Sequence, residues 1–555
     1  MAAQPKDNLK TLEINKFGGN LTRFRDGDIN SGMANYYTSW GYDTFQRSGT
    51  LSFDQAPYSV GSGVITDCVM DMKVRIENNN ICYVYALGST GRIYKIQVNN
   101  PGVTPDYDNA VLFYTLVNNQ TFHYGASLNI FNLTGNEGIY IGCDQGVTSL
   151  AWAGGFGSIA SETVITTTAG TWTPTVPRQG IQFNGNVYYT NGSNLCIMTG
   201  AGTVNGQALA TGFPNNVQAR SISSTADGRY IVTACGRTPL GDMLSVSPDI
   251  GNICATNSSL YYWNGTDNNY TSSTTFPSFT ISTYYTFSSN EYVFGNQIGG
   301  PMLASPTSNS GGGTVLEVLE YENIPLPNAI GSSGDFMGWG STGFSLTTGQ
   351  LYAVLDLYGT LDQHTPVGMY RQLVMYSSLT GGDVIRIPAY SAVSSWNFTG
   401  ITQGYTSIVP FQNDGTGKTY FSTIEYNGST TKYGFYAFKN VLDFQQAAGP
   451  GVYETQHQPF SKKVKITEVR VYLEYPGAEV SLVAFTIDLI AIDGSVIPGG
   501  SNTFSSSNQL TSTGDVVKYN PNHAPQSTIG VRITNVGAVS PFIHRIELDW
   551  EPMGS

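Results

Sequence analysis

Apolar and aromatic residues along this chain come in short alternating runs that stop at Gly, Asn, Ser or Pro, and long runs at the spacing of an amphipathic helix are nearly absent. Residues 81–96, ICYVYALGSTGRIYKI, are the clearest case. One apolar run ends at Gly88, small or polar residues follow, and a second run leaves from Ile93, which predicts two antiparallel strands joined by a Gly-containing turn. Looser versions recur at residues 138–152, 180–198 and 221–236. Units of this kind centre on residues 65–98, 110–153, 178–200, 218–263, 283–325, 335–390 and 401–439. A period of this size, with about four strand-length runs in each unit, predicts the blades of a β-propeller, six to eight in number with seven favoured. No WD dipeptide, kelch glycine pair or Asp-box marks the repeat. Residues 266–283 and 305–314, rich in Thr, Ser, Asn and Gly, read as loops projecting from a blade rim.

Gly and Pro at residues 447–451 end the array, and the pattern beyond them is longer and cleaner. In KVKITEVRVYLEY, Val464, Ile466, Val469, Val471 and Leu473 mark one apolar face, the signature of half-buried antiparallel strands. About 100 residues of such pattern predict a compact, jelly-roll-like β-sandwich. The expected organisation is therefore an N-terminal arm and irregular interface segment at residues 1–60 that joins the propeller, the propeller itself at 61–446, and the sandwich at 447–555.

Composition agrees with an all-β chain and adds one constraint. Gly (64) and Tyr (35) are abundant, which suits tight turns and pleated, half-buried surfaces. The net charge of -13 argues against a general nucleic-acid-binding surface, because phosphate contacts need clustered Lys and Arg. The N-terminus has no basic region followed by an apolar stretch, so no secretory signal is expected, and no run is long enough for a membrane-spanning helix. Six scattered cysteines without a CxxC pair read as buried free thiols.

Candidate chemistry is sparse. There is no nucleophile elbow, P-loop or HExxH motif, and the five histidines have no ligand spacing, so no catalytic residue, metal or cofactor is expected. Propeller glycan hydrolases place paired carboxylates at a central channel, for which Asp67, Asp71, Asp144, Asp227 and Asp356 are the candidates. A receptor- or carbohydrate-binding module would instead stack sugars on loop aromatics such as Tyr261, Tyr262 and Trp263. Two acidic or amide-rich stretches, residues 26–30 and 264–269, resemble calcium loops only superficially. The one local concentration of positive charge is Lys462, Lys463 and Lys465, with Arg470 beyond, a cluster that could face DNA or an acidic partner.

The stretch at residues 14–19 (INKFGG), the Asn-bearing segment that runs from it through Asn35 to Gly49, the Gly- and Tyr-rich propeller and the closing IHRIELDWEP together resemble the β-propeller tail proteins of bacteriophages, including nozzle-type proteins at the distal end of short tails. The chain departs from that pattern at Asn20-Leu21 and at Ser48-Gly49 after Arg47. The resemblance implies a structural protein of the virion tail, made in the bacterial cytoplasm and assembled as an oligomeric ring of its own copies around a DNA channel. It also implies contacts with adaptor and fibre proteins, transient passage of phage DNA during ejection, and an assembly role for Phe17, Gly18, Gly19 and Arg47.

Overall fold

The run at residues 82–87 is apolar without interruption because its strand is covered on both faces. In the computed structural model, Val84 and Ala86 pack on one side with Tyr420, Phe435 and Ala437, while Tyr85 and Leu87 pack on the other with Leu128, Ile139, Ile141 and Leu150. Each such side chain contributes roughly 1.5–3 kcal/mol by leaving water. The first set of neighbours comes from the end of the propeller and the second from its next blade. That is how a sheet sits in a closed ring.

The structure describes residues 10–21, 34–53 and 58–77 with short gaps, 81–98, 108–118, 126–237 with gaps of one or two residues, 258–276, the strands between 279 and 439, and 451–553 apart from 476, 512–515 and 540. Among the described residues, seven antiparallel units follow one another. The first contains Val69–Ile76, Cys82–Gly88, Arg92–Gln97 and Asn109–Thr115, and the second Ser127–Leu133, Asn136–Cys143, Gly146–Trp152 and Ile159–Ile165. The third runs from Gly180–Phe183 to Val204–Asn205 and the fourth from Val217–Ser224 to Ser272–Phe276. The fifth holds Phe279–Phe287, Asn290–Gln297 and Gly300–Ala304, and the sixth centres on Gln350–Asp362 and Thr365–Ser377. Thr402–Pro410, Lys418–Tyr426 and Thr431–Lys439 form the seventh, and its fourth strand comes from the other end of the chain: Tyr58–Ser59 pairs antiparallel with Thr431–Lys439.

Two sequence expectations shift by one strand. Asn109–Thr115 closes the first blade against Arg92–Gln97 rather than opening the second, and residues 266–283, expected to be loop, contain the last strand of blade four and the start of blade five. Thr- and Ser-rich outer strands carry little apolar signal, so composition there reads as loop. The opening hairpin forms as expected, with Gly91 at φ 80° supplying the left-handed residue and donating its amide to the Gly88 carbonyl.

The C-terminal unit is a β-sandwich of two antiparallel sheets. One holds Gln458–Glu474 between Phe542–Pro552 and Val516–Tyr519, and the other contains Val452–Thr455, Gln526–Asn535, Ala484–Ile490 and Val496–Ser505. A register shift between Ile466 and Glu468 explains why the buried positions step from Ile466 to Val469. The edge of the first sheet is again supplied from the N-terminus, since Lys10–Ile14 pairs antiparallel with Phe542–Pro552, placing Leu12 and Ile14 in the sandwich core. The described part of residues 1–60 is thus divided between both domains rather than being an appendage of the propeller alone. No helix among the described residues is long and apolar enough to cross a membrane.

Candidate functional site

Phe17 is one of the residues that carry the sequence resemblance. Its ring is buried in the sandwich core and meets Tyr453 edge-on at 5.7 Å. It is therefore a packing anchor, and no partner can reach it, which corrects its expected place in an interface. Gly18 and Gly19 lie within the strand Phe17–Leu21, which pairs parallel with Ala34–Trp40. That second strand also pairs with Val452–Thr455, at the junction between propeller and sandwich. Arg47, residues 26–30, Asp144, Cys68 and Cys254 lie outside the described residues.

Beyond this anchor the chain reaches the propeller. Leu51 exchanges both backbone hydrogen bonds with Ile543 of the sandwich, and Val60 donates its amide to Phe435 of the seventh blade. A polar clasp secures the closure. The Asp108 carboxylate, just before the last strand of blade one, accepts hydrogen bonds from the Tyr58 hydroxyl at 2.8 Å, the Tyr420 hydroxyl at 2.5 Å and the buried Lys418 ammonium at 3.2 Å. Three chain segments far apart in sequence meet on one carboxylate. Sequence analysis missed these four residues, and nothing in their local pattern signals them.

The basic cluster separates into two parts. Lys462 and Lys463 are exposed and Lys465 is half-buried, whereas Arg470 sits in a lattice of acids. Its guanidinium donates to Glu547 at 2.8 Å, to both oxygens of Asp549 at 2.8 Å and to Glu468 at 2.9 Å. These acids hold Arg470 even more firmly protonated than usual, against the opposing effect of its burial. Tyr472 and Arg545 complete the lattice on Glu547, and Thr11 of the N-terminal strand donates to Asp549. Arg470 is consequently spent on cross-strand pairing, and the expectation that it extends a DNA- or partner-facing cluster does not hold. Nearby, His523 is held as a neutral ring: its Nε2 accepts the Ile466 amide at 3.0 Å, and its Nδ1 lies 2.7 Å from the Ala524 carbonyl. Burial, seconded by the positive charge of Lys465, keeps its pKa below the ordinary 6.5 although the Ala524 carbonyl opposes the shift.

The alternative sites do not assemble among the described residues. Asp67 takes hydrogen bonds from Tyr94 and Thr90 within blade one, Asp71 accepts the Leu128 amide between blades one and two, and Asp227 caps its own turn through Thr225 and Arg229. Burial raises the pKa of Asp71, but no second carboxylate faces it in the manner of a hydrolase pair. Tyr261, Tyr262 and Trp263 are buried between blades, so they cannot stack on a sugar, which corrects that expectation. In residues 264–269 the Asn264 side chain is occupied by the amides of Thr266 and Asp267, and Asn269 by Thr211, as ordinary turn chemistry predicts. No group of three or more metal-ligating side chains occurs among the described residues. Cys82, Cys143, Cys196 and Cys235 are buried and form no disulfide among the described residues, and burial pushes the Cys196 thiol up to about 12.

No protein-family model and no curated protein matches the chain. Among solved structures it is similar to the β-propeller domain of Myceliophteria thermophila Cps50 (Swd1), at 11% identity over 70% of this chain and 100% of that one with a TM-score of 0.38. It is also similar to Chaetomium thermophilum Raptor, at 8% identity over 72% of this chain and 30% of that one with a TM-score of 0.40. A third likeness is to Kuenenia stuttgartiensis hydrazine synthase, at 9% identity over 70% of this chain and 100% of that one with a TM-score of 0.36. Likenesses this distant carry no argument about function. The propeller assignment rests on the strand pairing and interblade packing described above.

Proposed function

We propose that this chain is a non-catalytic structural protein of a bacteriophage tail that assembles as a ring of its own copies around the DNA channel, nozzle-like, and holds neighbouring adaptor or fibre proteins. The observation that carries the reading is the course of the N-terminal segment. The stretch bearing the resemblance at residues 14–19 enters the sandwich core through Phe17, and the same segment later supplies the closing strand of the propeller. One covalent strap therefore ties both domains together, an arrangement suited to a part that must keep its shape under load. The low fraction of charged residues, 12%, is in keeping with surfaces that are permanently covered by neighbours. The receptor-binding reading loses its sugar-stacking residues to the core.

Electron microscopy of the purified chain, and of virions labelled on it, tests the proposal. Ring-shaped particles and label at the tail are the expected result. A protein that stays monomeric at high concentration and binds host cells or glycans would refute it in favour of a receptor-binding role. Turnover of host polysaccharide by the pure protein would refute the non-catalytic part.

A further inference from the structure

With Arg470 removed from the basic cluster, a different set of lysines comes together at one end of the sandwich. Lys10 pairs across strands with Trp550 and holds its ammonium 5.2 Å from the indole centroid. Trp550 in turn pairs with Ile466, next to Lys465, while Lys463 accepts the Met553 amide on its carbonyl. Phe460 meets Trp550 at 5.0 Å, and Lys462 and Lys463 stand exposed between Phe460 and Lys465 along the same strand. Glu551 is the cross-strand neighbour of Lys465, yet among the described residues none of Lys10, Lys462, Lys463 and Lys465 is in an ion pair. Further along the same sheet, Lys518 and Arg470 are both paired. This end of the sandwich is thus a spot of uncompensated positive charge beside two aromatic rings, on a chain whose net charge is -13.

We propose that this lysine-rich end of the sandwich docks against the acidic surface of a second copy of the chain and fixes the orientation of copies in the assembly. The inference rests on the ring reading above and adds the surface that serves it. Copies that carry a large like charge repel one another at long range, so their encounter is productive only where a local patch of opposite sign meets the general field. The aromatic geometry favours protein over nucleic acid. Trp550 and Phe460 are packed edge-on against each other and Lys10 caps the indole, so the indole is already engaged and not free to stack on a base. Half-buried aromatics within a charged rim are instead the composition of a protein interface.

Sedimentation velocity on the full chain tests this, with the double variant Lys462→Glu/Lys463→Glu and the milder Lys462→Ala/Lys463→Ala compared with wild type at low and high salt. The expected result is association of the wild type that weakens with salt, a loss on the order of tenfold or more in the glutamate variant, and a smaller loss in the alanine variant. Circular dichroism and melting report whether each variant is folded, and the alanine pair reads the effect should the charge reversal disturb the strand. Wild-type association that both variants share unchanged would overturn the inference and leave the ring reading intact. A monomeric wild type would overturn both. Binding of a fluorescent DNA duplex that the glutamate variant loses, with association unaltered, would assign the patch to a polyanion and overturn the inference as stated.

Discussion

Replacing Phe17 by alanine tests whether the N-terminal segment is a structural member of the sandwich. The ring is buried and its edge contact with Tyr453 is made at an interplanar angle of 77°. Truncating a buried phenylalanine costs about 3–5 kcal/mol, of which the aromatic pair accounts for roughly 0.5–1.5 kcal/mol. Because every neighbour in its cluster belongs to the sandwich or to the strands that enter it, the loss falls on that unit. For a unit of about 100 residues this lowers the unfolding temperature by on the order of 10 °C or more. Calorimetry would show the sandwich transition moving down. Hydrogen exchange would show Gln458–Glu474 and Phe542–Pro552 losing protection while blades two and three keep theirs. Phe17→Leu would retain most of the stability. A loss below about 1 kcal/mol, or protection lost first in the blades, would refute the placement of Phe17 as an anchor.

Three further outcomes follow from the geometry. Asp108→Asn removes the charge that Lys418, Tyr58 and Tyr420 share, a change that costs about 3–5 kcal/mol for a buried pair, and amide exchange in Thr431–Lys439 should quicken before exchange in blade three. Arg470→Met strips the buried Glu547 and Asp549 of their common cation, so the sandwich should lose about 3 kcal/mol in chemical denaturation while self-association is unaffected; unchanged stability would contradict the lattice. His523 gives a pH dependence with a definite sign. Its folded pKa lies below its ordinary 6.5, so its contribution is complete above that pH and is lost as pH falls through the folded value. The sandwich midpoint should therefore drop as pH falls below about 6.5, and His523→Gln should flatten that portion of the curve.

What the sequence discloses here depends on how local the cause is. The hairpin at residues 81–96 is legible because strand period and turn glycine are adjacent, and Leu12 and Ile14 announce a strand by alternation. Their partner is not announced, since Thr11 and Asp549 are 538 positions apart and no pattern encodes that pairing. Tyr58–Ser59 is too short to show a period at all. Arg470 misleads for the same reason: its nearby lysines are visible in the sequence, while two of the three acids that neutralise it lie 77 and 79 residues away. Tyr261, Tyr262 and Trp263 look like an exposed aromatic cluster until the fold packs Tyr261 and Trp263 against the preceding blade and buries Tyr262 on the other face of the strand.

The two closures made by the N-terminal segment also constrain the order in which the molecule can be built. A ribosome releases Lys10–Ile14 long before its partner Phe542–Pro552, and Tyr58–Ser59 must wait for Thr431–Lys439. Until those partners exist, Lys10–Ile14 has no mate and the first blade lacks the neighbour that covers Val84 and Ala86. Such long-range pairing makes folding slow and leaves apolar strand edges open in the nascent chain. A product truncated before Phe542 would therefore leave Lys10–Ile14 unpaired, and one truncated before Thr431 would leave the propeller open as well.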